Sequence, residues 1–258
     1  MNTTGNTILI TGGGSGIGRG LAEAFHKLGN HVIIAGRRKQ ALDDTVAANP
    51  GMSSAILDIE NAASIRAFAA KLIADFPALN AVVHNAGIMR PEKLLAQPED
   101  LTDAEAIITT NLLGPIRLTA ALLPHLEKQP HAAILTVTSG LAFIPMAMTP
   151  TYNATKAAIH SYTQALRYQL KSTNIQVIEL IPPYVQTELM GSKQASDPRA
   201  MPLADYLNET INILKSQPDV TEVLVERVKP LRFSEQNGPE KYNAFFKQFN
   251  DAMATDPH

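Results

Sequence analysis

A β-branched run that ends abruptly in glycine constrains this chain more than any other stretch. Residues 7–11 read Thr-Ile-Leu-Ile-Thr, too short for a helix and suited to a strand buried on both faces. Gly12-Gly-Gly-Ser-Gly16-Ile-Gly18 follows, and then Leu21, Ala24, Phe25 and Leu28 fall at helical spacing over 19–28. A strand turning through glycines into a helix aims backbone N–H groups at the helix N-terminus, where the dipole favours negative charge. Gly12, Ser15, Gly16, Ile17 and Gly18 are therefore candidates to receive the pyrophosphate of a dinucleotide. An ordinary glycine turn is the competing reading, and the strand–turn–helix context weighs against it.

The same alternation continues along the chain. Apolar runs at 31–35, 53–57, 80–84, 132–138 and 174–181 read as strands, and 61–76, 102–126 and 152–171 read as helices between them. Gly114-Pro115 interrupts 102–126, which reads as one long helix or two in succession. Farther on, 202–216 and 220–228 have helical spacing, and a short helix carries Tyr242, Phe245, Phe246 and Phe249. Strands alternating with helices require a parallel sheet covered on both faces, so the expected fold is a single-domain, doubly wound (Rossmann) α/β sheet. A length of 258 residues with 45% hydrophobic content fits one such domain.

Particular side chains carry the chemistry. Tyr152 and Lys156 are four apart and so share a helix face. An ammonium beside a phenol favours the phenolate, which predicts a Tyr152 pKa below the usual value of about 10. Ser139, at the end of a strand, could hold a carbonyl oxygen against that phenol. About 20 residues past the glycines, a free ribose 2′-hydroxyl would meet an acid. That place reads Gly36-Arg37-Arg38, and the nearest acid along the chain is Asp43. Two guanidiniums suit a 2′-phosphate, unless they merely cap the strand end in solvent. Pro115 has no N–H to give the carbonyl of Asn111 four residues back, which leaves that carbonyl open to a water or produces a plain kink. His84 lies inside a strand, as a core histidine does. Phe143, Met146, Tyr184, Leu189, Met190 and Met201 flank the Ser139–Lys156 stretch and form either an apolar, adaptable pocket or ordinary core.

With the glycine turn, Asn85-Ala86-Gly87, Ser139 and Tyr152-x-x-x-Lys156 in order, residues 7 to about 188 resemble the short-chain dehydrogenase/reductase family. The double proline Pro182-Pro183, Ser139-Gly-Leu-Ala-Phe and the tail resemble the branch of that family encoded with bacterial teichoic-acid D-alanylation genes. The resemblance implies an NADP-dependent carbonyl reductase or alcohol dehydrogenase, with NADP rather than NAD as cofactor. It implies one catalytic domain over 1–258, with about 189–258 as a variable substrate lid and tail. Tyr152 is then the general acid and base, Lys156 its partner and the holder of the ribose, Ser139 the residue that orients substrate, and Asn111 the holder of a relay water. Asp58 and Ile59 are implied at the adenine, where Asp58 could instead be a cap or turn residue. Asn85, Ala86 and Gly87 are implied beneath the cofactor, and Pro182, Val185 and Thr187 at the nicotinamide. The family's usual last strand and Asp-Gly-Gly turn are not visible. A sensor or scaffold that holds NADP(H) without turnover is the alternative.

A net charge of -2 gives no electrostatic case for nucleic acid or an anionic membrane. The absence of cysteine excludes disulfides and cysteine metal sites, and no other metal site is expected. No run approaches about 18 apolar residues, so no membrane partner is expected and a cytoplasmic protein is. The expected partners are a small carbonyl or alcohol substrate and a second copy of the chain. A homodimer would form through 102–126 and 152–171, with a homotetramer as the alternative.

Overall fold

Ile8, Leu9 and Ile10 on one strand and Val32, Ile33 and Ile34 on the next are all fully buried, as a parallel sheet covered on both sides requires. Alternate residues face opposite layers. Ile8, Ile10, Val32 and Ile34 pack with Leu21 and Phe25 on one side, and Leu9 and Ile33 with Phe68, Leu118 and Leu122 on the other. The computed structural model describes residues 1–96 and 100–254. Its strands are β1 (Thr7–Thr11), β2 (His31–Gly36), β3 (Ser53–Ile56), β4 (Leu79–His84), β5 (Ala132–Val137), β6 (Ile175–Leu180) and β7 (Glu222–Val223). They form one seven-stranded sheet in the order β3-β2-β1-β4-β5-β6-β7, every pairing parallel. The helices are α1 (Gly16–Lys27), α2 (Lys39–Ala48), α3 (Ala62–Asp75), α4 (Thr102–Ile108), α5 (Gly114–Leu126), α6 (Pro150–Gln169), α7 (Ser192–Ala195), α8 (Leu203–Ser216), α9 (Lys229–Arg232) and α10 (Pro239–Ala254).

The sequence reading lacks α2, α7 and α9, and three further elements differ from it. Residues 220–228 are not a helix: they hold β7 and a 3-10 turn at Glu226–Val228. The edge of β6 decides this, because Glu179 N–H donates to the Thr221 carbonyl at 2.9 Å and Ile181 N–H to the Val223 carbonyl at 3.2 Å. A last strand thus exists, two residues long. The C-terminal helix is not short but runs 16 residues. The stretch Thr102–Leu126 is continuous but carries a π-helical turn at Thr109–Leu113 immediately before Pro115. A side chain at Gly114 would lie 2.5 Å from Ile59 Cγ1 and 2.9 Å from the Ile59 carbonyl, so only glycine lets this turn sit on the loop after β3.

Thr102–Leu126 is also long and apolar enough, by length and composition, to cross a membrane, contrary to the sequence reading. Its apolar face is accounted for by packing: Leu118, Leu122 and Leu126 are fully buried against α3 and the sheet. His84 is a buried strand residue as expected, its Nε2 2.9 Å from Thr119 Oγ1 and its Nδ1 without a partner. Burial pushes its pKa down to about 4, so it is neutral at pH 7.

Candidate active site

β1 pairs with β2 on one side and β4 on the other, so the chain's winding reverses there and opens a crevice at the strands' carboxyl ends. A groove of ≈ 670 Å³ occupies it, within the ~300–1,000 Å³ typical of ligand sites. α1 starts at Gly16, and its N-cap residue Ser15 makes no side-chain cap bond, which leaves the first-turn N–H groups without that partner. Gly12, Ser15, Gly16 and Ile17 line the groove, and Gly12 (φ 70°) and Gly16 (φ 53°) adopt backbone that favours glycine. Gly18 does not line it. A side chain there would lie 2.3 Å from both the Gly12 carbonyl oxygen and Asn85 Nδ2, so this glycine permits close packing of turn and helix. Asn85 and Ala86 are tied to β1 by N–H donation to Thr11 Oγ1 at 3.0 and 3.1 Å, and with Gly87 they form part of the groove wall.

Arg37 and Arg38 both line the far end. Arg38 Nη2 donates to Ser15 Oγ at 2.7 Å, bringing one guanidinium onto the glycine turn. Arg37 Nη1 pairs with Glu60 Oε1 at 2.7 Å, and Thr110 Oγ1 donates to the same oxygen at 2.9 Å. The sequence reading, with Asp43 as the nearest acid, missed Glu60; Asp43 pairs with Lys39. Pairing of β2 with β3, Gly36 opposite Ile56, is what delivers Glu60 to Arg37. Ile59 lines the groove but Asp58 is not among its walls. Asp58 Oδ1 accepts from the Glu60 N–H at 3.1 Å, a turn role, while the cap of α3 is Asn61, which accepts from Ala63 and Ser64.

At the other end, α6 opens with proline and presents Tyr152 and Lys156, both buried, along one face. Lys156 Nζ donates to the Val137 carbonyl at 2.8 Å and lies 5.5 Å from the centroid of the Tyr152 ring. The expected lowering of the Tyr152 pKa does not hold. Burial raises the phenol well above its ordinary value, opposed by a hydrogen bond with Ser139. Burial also lowers Lys156 to about 8, opposed by the charge of Glu179. Desolvation penalises each charged form, and at these depths it is the larger cause for both groups.

Ser139 sits just beyond β5, buried, its Oγ accepting from the Leu141 N–H at 3.1 Å; Thr138 rather than Ser139 lines the groove. Asn111, within the π turn, is also off the groove. Its side chain clamps the backbone of Ile88, accepting from N–H and donating to C=O at 2.9 Å each, and donates to Thr155 Oγ1 at 3.3 Å. Pro182 and Thr187 line the groove, whereas Val185 is buried in a bridge to Met201.

Tyr152 packs in an apolar cluster with Met89, Met146, Met148, Met190, Phe249 and Met253, of which Met89 lines the groove. Asn250 anchors α10 there by accepting from the Ala147 N–H at 2.6 Å and donating to the Pro145 carbonyl at 3.1 Å. Leu189 lines the groove as expected. Met201 and Phe143 instead pack in a separate cluster with Tyr206 and Val228, and Tyr184 OH bonds Asp197. Phe249 had no local signal beyond a cluster of aromatic residues near the chain end.

The profile of the family described as short chain dehydrogenase matches residues 6–198. An oxidoreductase of Bacillus subtilis, DltE, is 38% identical over 253 residues, 97% of this chain and 98% of its own length. Among solved structures, a short chain dehydrogenase from Burkholderia cenocepacia in complex with NADP superposes with TM-score 0.81 at 23% identity, covering 95% of this chain and 99% of that one. One from Burkholderia phymatum in complex with NAD gives 0.79 at 20% identity, covering 92% and 95%.

Proposed function

This chain belongs to the short chain dehydrogenase family, and from that premise we propose that it is an NADP-dependent oxidoreductase acting on a small apolar carbonyl or alcohol. The observation that carries the reading is one groove with Gly12, Gly16 and Arg38 at one end and Tyr152 and Lys156 at the other. The uncapped N-terminus of α1 and two arginines suit a phosphorylated dinucleotide. A nicotinamide bound there would supply or accept the hydride. The chain does the rest. Tyr152 gives the substrate oxygen a proton in reduction and takes it back in oxidation. Ser139, which faces that phenol, orients the substrate oxygen. Lys156 holds the ribose and returns the proton toward a water at the main-chain carbonyl of Asn111. Ile59 would bound the adenine, Asn85, Ala86 and Gly87 would support the cofactor, and Pro182 and Thr187 would shape the nicotinamide edge, with Asp58 in its turn and Val185 in its bridge to Met201 standing behind these walls.

The reading of the substrate class rests on the methionine and phenylalanine cluster packed around Tyr152, contributed largely by residues about 189–258 and by 146–148. Methionines adapt to several apolar shapes. Steady oxidation of NADPH is expected with hydrophobic ketones or aldehydes in preference to keto acids. Tight NADPH binding with no turnover across such a panel would support a sensor instead, and a preference for a keto acid or sugar phosphate would overturn the substrate class.

Arg37 tests the cofactor. A charged hydrogen bond of about 1.5–3 kcal/mol corresponds to roughly 10- to 150-fold in binding, so Arg37→Ala should raise the KM for NADPH toward the lower end and leave that for NADH nearly unchanged. Glu60 already neutralises part of Arg37, and this favours dual specificity as the second reading. Wild-type KM values for NADPH and NADH that are nearly equal would establish it.

We also propose a cytoplasmic homodimer. Exposed Ala120, Ala157 and Ala165 on α5 and α6 let two copies approach closely along the expected helices. β7 restores the strand whose apparent absence had argued against a tetramer, but with two residues it offers a short edge. Light scattering should give about twice 27.8 kDa; four times that mass would favour the tetramer.

A further inference from the structure

Between β6 and α6 lies a group of charges that the proposed reaction does not use. Glu179 on β6 is 0% exposed. Its carboxylate accepts from Thr138 Oγ1 at 2.7 Å and lies 2.9 Å, through both oxygens, from His160 Nδ1. His160 is one helical turn beyond Lys156, and Thr138 directly follows Val137, whose carbonyl receives the Lys156 ammonium. The carboxylate is therefore bonded to the residues next to both the helix position and the strand position that fix Lys156. Ligand atoms of His160, Glu179 and Glu222 lie within 4.8 Å of one another. Two carboxylates that close, one of them fully buried, need cations. Arg232 of α9 takes both oxygens of Glu222, at 2.8 and 3.0 Å. Arg167 of α6 faces Glu222 as well, while its guanidinium donates to the Val177 and Thr221 carbonyls. The cations left facing Glu179 are Arg232, already committed to Glu222, Lys156, and His160 when protonated.

We propose that Glu179 is the internal counter-ion of Lys156, a positioning residue held by Thr138 and His160 that keeps the buried ammonium charged. Its functional consequence rests on the role assigned to Lys156 above, but the pairing belongs to the chain alone. Burial drives Lys156 toward its neutral form, with a pKa near 8, and Glu179 opposes it. Without the carboxylate the lysine loses its proton at lower pH, so the loss of kcat/KM should grow as pH rises. At pH 8.5 it should be about five- to tenfold greater than at pH 6.5, for a shift of about one unit.

The direct test uses the ligand-free chain labelled with ¹³Cε-lysine. The Lys156 resonance is assigned by its disappearance in Lys156→Arg and titrated by NMR. A midpoint near 8 is expected for wild type. Glu179→Gln should lower it by about one unit or more, and Glu179→Asp, which keeps the charge, should restore most of the difference. An unchanged midpoint in folded Glu179→Gln would overturn the proposal. If that variant fails to fold, His160→Gln leaves the carboxylate and its Thr138 bond in place; its midpoint should stay at or above the wild-type value, and a fall would equally overturn it. Neither cofactor nor substrate enters this measurement, so a failure of the oxidoreductase reading leaves its outcome intact.

Discussion

Tyr152→Phe is expected to lower kcat by about 10²–10⁴, the usual worth of a positioned proton donor, while the Kd for NADPH stays within a few-fold of wild type. The ring is buried against Met89, Ile107 and Met146, and phenylalanine keeps all of that packing. What is lost is the hydroxyl that faces Ser139. Because burial raises the phenol's pKa, the protonated form dominates across neutral pH, which is the form that donates in reduction. The sign gives a second expectation. Reduction should be flat with pH up to the range where Lys156 titrates, near 8, and oxidation, which needs the phenolate, should climb toward alkaline pH. NADPH absorbance gives the rates and NADPH fluorescence the binding. A Tyr152→Phe variant retaining most of its kcat would sink the assignment of Tyr152 as the proton donor.

Gly18→Ala is expected to cost stability and dinucleotide binding together. Its methyl would stand 2.3 Å from the carbonyl oxygen and 2.9 Å from the carbonyl carbon of Gly12. These are backbone atoms that cannot rotate away, so either α1 or the glycine turn must shift. Overpacking of this kind typically costs about 1–3 kcal/mol, or roughly 2–12 °C in Tm for a chain of this size. The Kd for NADPH should rise well beyond tenfold, since the displaced turn carries Gly12 and Ser15 of the groove. Gly29→Ala is the control: it has no neighbour within 4 Å and lies beyond the end of α1, so it should lose some stability through its φ of 82° and leave binding alone. Equal effects of the two variants on NADPH binding would contradict this account of Gly18.

The parts legible in the chain are those set by local spacing. A β-branched run meeting glycines can only turn, and the helical register of Tyr152 and Lys156 follows from a four-residue separation. β1, the turn and α1 stand where the residues put them, and so does the alternation that makes the sheet parallel and doubly wound. Gly18 was legible as a required glycine but not as a packing one, because the atoms it must clear belong to Gly12 and to Asn85, just past the end of β4.

What tertiary structure decided is whatever depends on residues distant in sequence. β7 has no signal of its own in two residues; the free edge of β6 makes it a strand. The π turn at Thr109–Leu113 depends on the fit of Gly114 over Ile59. Glu60 reaches Arg37 only because β2 and β3 pair, and Glu179 reaches His160 only because α6 packs on β6. The sign of the Tyr152 shift was decided in the same way. Spacing alone placed an ammonium nearby and predicted a lower pKa, whereas folding took both groups out of water. Desolvation depends on every atom that surrounds a charge, so it exists only once the chain is folded, while periodicity is already present in the chain before it folds.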